Sequence, residues 1–115
     1  MRYLVMHKSN EDNEAGVPPS KELIEEMGKL MESTAKSGVL LAAEGVQPSA
    51  KGARVRYTGG KRTVTDGPFT EAKEVIGGFG LINANSLEEA IESAARFIEL
   101  FPDGEKPSVE VRLVG

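Results

Sequence analysis

Val64-Thr65-Asp66-Gly67-Pro68-Phe69-Thr70-Glu71-Ala72-Lys73-Glu74-Val75-Ile76-Gly77-Gly78-Phe79 is the stretch on which the reading of this chain turns. It starts as a strand, breaks at Asp-Gly-Pro, crosses a charged cluster and re-enters a strand through two glycines. Asp66 can fold its carboxylate onto nearby backbone N–H groups. Gly67 tolerates positive φ, although the following proline biases it toward extended geometry. Pro68 fixes its own φ and gives no ladder hydrogen bond. Such a turn holds Phe69, Glu71, Lys73 and Glu74 in a set relation to a sheet. Paired glycines inside an apolar strand predict a bulge, or a point where a ligand or another backbone comes close.

Outward from this stretch, the hydrophobic periods define the flanking elements. Upstream, Ala53 to Thr58 and Lys61 to Asp66 predict a hairpin across Gly59-Gly60, with Val55 and Tyr57 on one face and Arg54 and Arg56 on the other. Before it, Val39 to Val46 is a strand ending in Glu44-Gly45, and Gln47 to Gly52 a connection. Lys21 to Ser37 is an amphipathic helix with Leu23, Ile24, Met27, Leu30 and Met31 inward, opened by Pro19 or Ser20 and closed by Gly38. Ser9 to Pro19 is a polar loop, and Arg2 to His7 a strand apolar on both faces. Downstream, Val75 to Asn83 is a strand. Ser86-Leu87-Glu88-Glu89 is a capping box whose helix turns Leu87, Ala90, Ile91, Ala94, Ile98 and Phe101 inward. Val109 to Val114 is the last strand.

With the hairpin set aside as an insertion, the order is βαββαβ, the split ferredoxin-like pattern of an α+β domain. Its two helices cover one sheet face. The other face still carries apolar residues, and a second copy of the same face is the economical cover.

Composition narrows the function classes. The 115 residues make one domain, residues 1–115, with 39% hydrophobic and 28% charged content, ordinary for a soluble protein. A formal charge of −4 argues against nucleic acid as partner. No apolar run approaches the roughly 20 residues of a membrane helix, and no signal peptide is visible, so a cytoplasmic protein without membrane attachment is expected. The absence of cysteine excludes disulfides, thiol catalysis and thiolate metal sites, and the single histidine excludes a multi-histidine metal centre within one subunit. No carboxylate pair has metal-ligand spacing, and Gly77-Gly78-Phe79-Gly80 opens no helix, so it is no dinucleotide loop. Neither a metal nor an organic cofactor is expected.

The Asp66-Gly67-Pro68-Phe69 turn, the following Glu71-Ala72-Lys73-Glu74 and Gly77-Gly78-Phe79 resemble the signature of the YCII-related superfamily, in the branch called DGPF-domain proteins. Glu44-Gly45-Val46-Gln47-Pro48 resembles the branch pattern as well, and with the element order the likeness covers nearly the whole chain. The resemblance implies a ferredoxin-like subunit that pairs into a dimeric α/β barrel, a homodimer. It implies no settled reaction. Another branch has a proposed catalytic His–Asp pair, its histidine near the start of the first helix. That neighbourhood here is Pro19-Ser20-Lys21-Glu22, so the histidine does not carry over, and His7 is not its equivalent. Relatives of the branch are associated with sigma-factor systems.

Asp66 is the first candidate catalytic residue, as a general base or ligand acceptor; capping its own turn satisfies the same placement. His7 is the second, the one side chain with an unperturbed pKa near neutrality, set against simple packing. Glu44, Lys73 and Phe69 are candidate ligand-binding residues. Glu44 interrupts an apolar strand and, if buried, needs either a cation (Lys73, Arg54, Arg56 or Arg112) or a wet cleft; a structural ion pair or plain exposure is the competing reading. Lys73 is equally read as part of a solvated charge cluster, and Phe69 as an anchor into the core. Two classes of function remain open: an enzyme acting on a small organic molecule by acid–base chemistry near Asp66, or a non-catalytic ligand-binding or regulatory module using the same cleft.

Overall fold

The computed structural model describes residues 1–69 and 74–115. The elements among these residues are, in order, β1 (Arg2–Lys8), α1 (Glu11–Glu14), α2 (Lys21–Lys36), β2 (Leu40–Gly45), a 3₁₀ turn (Ser49–Lys51), β3 (Ala53–Thr58), β4 (Lys61–Asp66), β5 (Ile76–Asn83), α3 (Leu87–Glu99) and β6 (Val109–Leu113). Four strands form one sheet in the order β2-β5-β1-β6, with every neighbouring pair antiparallel. Without the separate β3–β4 ribbon this is a ferredoxin-like α+β fold. The βαβ crossovers through α2 and α3 place both helices on one face by the usual right-handed rule.

Local chemistry sets the element ends. Ser20 caps α2 by accepting from the Leu23 N–H at 3.1 Å, and Gly38 leaves it at φ 81°. Ser86 caps α3 by accepting from the Glu89 N–H at 3.2 Å. The return arm of this capping box reaches one residue further than the usual form: Glu89 Oε2 accepts from the N–H of Asn85, at 2.9 Å, rather than from that of Ser86. Gly59 and Gly60 turn the hairpin at φ 59° and 79°, the positive angles of a two-residue I′ connection. The polar loop after β1 is more ordered than its composition predicts. Asn10 accepts from the Asn13 N–H at 2.8 Å and nucleates the single turn of α1.

The core is thin. Tyr3, Ile82, Ala90 and Ala94 are buried, with Val5, Val39, Leu40, Ala84 and Val111 packed around the first three. Leu87, Ile91, Ile24 and Met31, expected inward on helical period, are between 41% and 50% exposed, because the small sheet covers a narrower stripe than the pattern offers. On the other face, strand alternation and register bring together Leu4 and Met6 of β1, Leu81 and Phe79 of β5 and Ala42 of β2. Glu44 lies opposite Phe79 on β2, and Arg112 and Glu110 lie opposite Leu4 and Met6 on β6. No described helix covers these side chains, and Phe79 is 37% exposed. No described helix is long and apolar enough to cross a membrane.

Candidate functional site

The Asp-Gly-Pro turn is braced from below by the 3₁₀ turn. Asp66 ends β4 opposite Ala53, and the Gly67 N–H donates to the Gly52 carbonyl at 3.0 Å. Gly67 does not have positive φ, contrary to the conformational role its sequence context allows. Its reason for being glycine is contact: a Cβ there would collide with the carbonyl of Ser49, a backbone group that cannot swing aside. The Gly67–Pro68 peptide is cis.

Ser49 is the hub of this brace and is buried. Its N–H donates to Glu14 Oε1 at 2.9 Å, its hydroxyl donates to Glu14 Oε2, and its oxygen accepts from the Phe69 N–H at 2.9 Å. One carboxylate from α1 thus holds the 3₁₀ turn, and the 3₁₀ turn holds the residue after Pro68. The Phe69 ring is half-buried beneath the guanidinium of Arg54, whose Cζ lies 4.1 Å from the ring centroid. Phe69 therefore anchors against the hairpin and the 3₁₀ segment; it is not part of the Tyr3–Ile82–Ala90 core.

Above this brace the Asp66 side chain is exposed, and among the described residues no hydrogen bond or ion pair engages its carboxylate. The turn is held by backbone groups, Ser49 and Arg54 rather than by Asp66. Lys73, with Glu71 of the same charge cluster, lies outside the described residues.

His7 belongs to different surroundings. Tyr3, Val5 and His7 alternate onto the helix-covered face, and the imidazole packs against the ring of Phe97 at 5.2 Å, with Phe101 behind it. Gly77 and Gly78 make room for it: a Cβ at Gly77 would sit 3.0 Å from His7 Cε1, and one at Gly78 would strike Nε2 and the Glu44 carbonyl. The register slip between His7 and Lys8 leaves Gly77 as the extra residue of the bulge expected there. What comes close to the glycine pair is the protein's own histidine. Burial lowers the His7 pKa below its ordinary value, with the Lys8 backbone opposing in part, so the ring is neutral at pH 7.

Glu44 is exposed on the open sheet face and forms no salt bridge with a described residue. The cost that would have demanded a partner cation therefore does not arise. Two residues of the brace, Glu14 and Ser49, escape sequence reading altogether. They are 35 positions apart in segments that read as loop and connection, and no local pattern links them.

A ferredoxin-like α+β subunit with an inserted β-hairpin and a braced Asp-Gly-Pro turn is the class these features define. The profile of the YCII-related domain matches residues 1–112, and the chain belongs to that family. It is also similar to the uncharacterized protein R00369 of Rhizobium meliloti (strain 1021), at 36% identity across 53% of this chain and 60% of the relative. The match thus spans less than two thirds of that relative's length.

Proposed function

We propose that this YCII-related protein, of the DGPF branch, is a cytoplasmic homodimer that binds a small organic molecule at the Asp66 turn and processes it by acid–base chemistry. The observation that carries the reading is the contrast at the turn. Its backbone is fixed by Ser49, Glu14 and Gly52, while the carboxylate it presents is exposed and unengaged by any described group. Fixing a solvent-facing carboxylate on a rigid support is what a general base or a ligand acceptor requires. In this reading Glu44 from the open sheet and Phe69 from the turn are the ligand-binding residues that would border the bound molecule. Dimerisation pairs the open faces around Leu4, Met6, Phe79 and Leu81 and closes the barrel, excluding water from one side of the site.

A second reading, binding without turnover, is favoured by His7. It is packed against Phe97 and walled by the glycine pair, which makes it a poor proton shuttle for a ligand at Asp66. The two readings separate in one experiment. The purified protein is screened against small carbonyl, hydroxy and amino compounds by thermal shift, and each hit is then followed by NMR for conversion. Catalysis predicts a hit that is consumed, with Asp66→Asn lowering turnover by roughly 10²–10⁴-fold while folding is retained. A hit bound unchanged, and bound equally by Asp66→Asn, assigns the turn to scaffold and overturns the catalytic reading.

A further inference from the structure

The β3–β4 hairpin leaves the outer edge of β3 open. Its strands pair with each other from Ala53↔Asp66 to Thr58↔Lys61, no described element packs extensively against them, and every residue of both strands is exposed. Register sorts the backbone groups as well as the side chains. The pair closing a two-residue connection, here Thr58↔Lys61 across Gly59-Gly60, exchanges both ladder hydrogen bonds, and so do the alternate pairs Arg56↔Thr63 and Arg54↔Thr65. The Gly67 N–H, bonded to the Gly52 carbonyl, continues the same alternation. The N–H and C=O groups of Val55 and Tyr57 therefore point out from the free edge of β3, where no described backbone group meets them.

The two faces beside that edge differ in kind. On one, Arg54 and Arg56 of β3 and Lys61 of β4 share the surface with threonines and with no acidic residue. None of these cations forms an ion pair with a described residue, and Arg54 is steadied over the Phe69 ring, its Cζ 4.1 Å from the centroid. On the other face Val55, Tyr57 and Val64 are 57%, 73% and 54% exposed, and the charges there, Arg62 and Asp66, cancel. Arg54 and Arg56 stand two residues apart, hence about 6.7 Å along the strand. An added strand has the same repeat, and its side chains alternate between the same two faces.

Charge and backbone together select the occupant. A strand laid along β3 meets the outward N–H and C=O groups of Val55 and Tyr57. Carboxylates at its alternate positions meet the arginine row, and apolar side chains between them meet Val55 and Tyr57. A second copy of β3 fits badly, because antiparallel pairing sets the two arginine rows side by side on one face. The edges of the four-stranded sheet fit little better: β2 brings one carboxylate, Glu44, and β6 ties Glu110 to Arg112 at 3.6 Å. Nucleic acid would meet the cations but leave the edge groups, Val55 and Tyr57 unused. Outside residues 51–65 the chain also sets nine basic side chains against eighteen acidic ones, a body that phosphate would avoid.

We infer that the free edge of β3 takes up, as an added strand, an extended segment of another protein in which acidic and apolar residues alternate.

The probe is a fluorescein-labelled peptide of about nine residues alternating glutamate and valine, long enough to span the six residues of β3. Its control has the same composition, with the glutamates and valines in separate blocks. Binding to the full-length protein is followed by fluorescence anisotropy, and amide exchange of the ¹⁵N-labelled wild type by NMR with and without peptide. The expected result is saturable binding of the alternating peptide, about tenfold weaker for the block peptide and for Arg56→Glu, which sets like charges side by side. The Val55 and Tyr57 amides should gain protection, and those of Arg62 and Val64 on the opposite edge should not. Equal affinity for both peptides, with no gain at Val55 and Tyr57, overturns strand addition in favour of a merely charged surface. Protection already complete without peptide means that a second copy holds the edge, and overturns it too. An oligothymidylate that binds more tightly than the alternating peptide, and more weakly to Arg56→Glu, overturns it in favour of nucleic acid. Absence of binding by the alternating peptide overturns it outright and leaves the cations as guards against edge-to-edge pairing.

Discussion

At the scale of single residues, two positions carry consequences that follow from contact rather than from residue type. Gly67 has ordinary φ, so its substitution is not a matter of backbone strain. Gly67→Ala drives a methyl group into the Ser49 carbonyl and forces the turn off the 3₁₀ segment. A loss of about 1–3 kcal/mol is expected, as for overpacking elsewhere, measured by urea denaturation. His7 gives the chain a pH response of definite sign. Its folded pKa lies below the ordinary value because burial disfavours the charged ring. The unfolded chain therefore takes up a proton at higher pH than the folded one. The stability tied to neutral His7 is complete above the unfolded value of about 6.5 and falls as pH drops from there toward the lowered folded value. Urea midpoints at pH 7.5 and 5.5 should differ in wild type. The difference should shrink in His7→Gln, and an equal difference in that variant would place the response in other groups. Asp66 and the Asp-Gly-Pro turn stand out in the sequence because Gly and Pro punctuate the chain there. Their support does not, because Ser49 and Glu14 look like ordinary loop residues until the fold brings them together.

At the scale of elements, regular segments are legible wherever a single period governs them. The four sheet strands, the hairpin with its Gly59-Gly60 connection, both long helices and the serine caps all follow from local pattern, and sequence bounds differ from the observed ones by a residue or so. The turn of α1 escapes, since one helical turn of polar residues has no hydrophobic period to show. The inward sets of α2 and α3 are also overestimated: periodicity reports a stripe's width on the helix, not the width of the sheet beneath it. The brace makes a prediction at this scale. Ser49→Ala removes the acceptor for the Phe69 N–H and one donor to Glu14, leaving two part-buried groups without partners. A cost of about 1–3 kcal/mol is expected. Hydrogen exchange at the Phe69 amide should quicken well beyond that at the amides of β1 and β5. Uniform acceleration across both strands would mean that Ser49 supports the whole fold rather than the turn.

At the scale of the whole molecule, the single chain is under-filled. Among the described residues the buried apolar set is four, two of them alanines, and no large side chain is fully enclosed. Among the described residues nothing covers the sheet face carrying Leu4, Met6, Phe79 and Leu81, and no described element packs extensively on the β3–β4 hairpin. Small domains bury a modest fraction of their surface at best, and the open sheet face here is the surface a partner copy would take. The βαββαβ order is legible in the sequence, as is the excess apolar face. The β3–β4 hairpin is legible too as an insertion beside a four-stranded sheet, and its two strands pair only with each other. Sedimentation equilibrium on the wild type and on Phe79→Glu, between about 1 and 100 μM, a window that detects dissociation constants in the micromolar range, tests the central claim most directly. The account predicts twice the 12.3 kDa chain mass for the wild type. It predicts a folded species of single-chain mass for Phe79→Glu, whose new carboxylate lies on the paired faces. A wild-type protein that stays folded at single-chain mass over the whole range would contradict it.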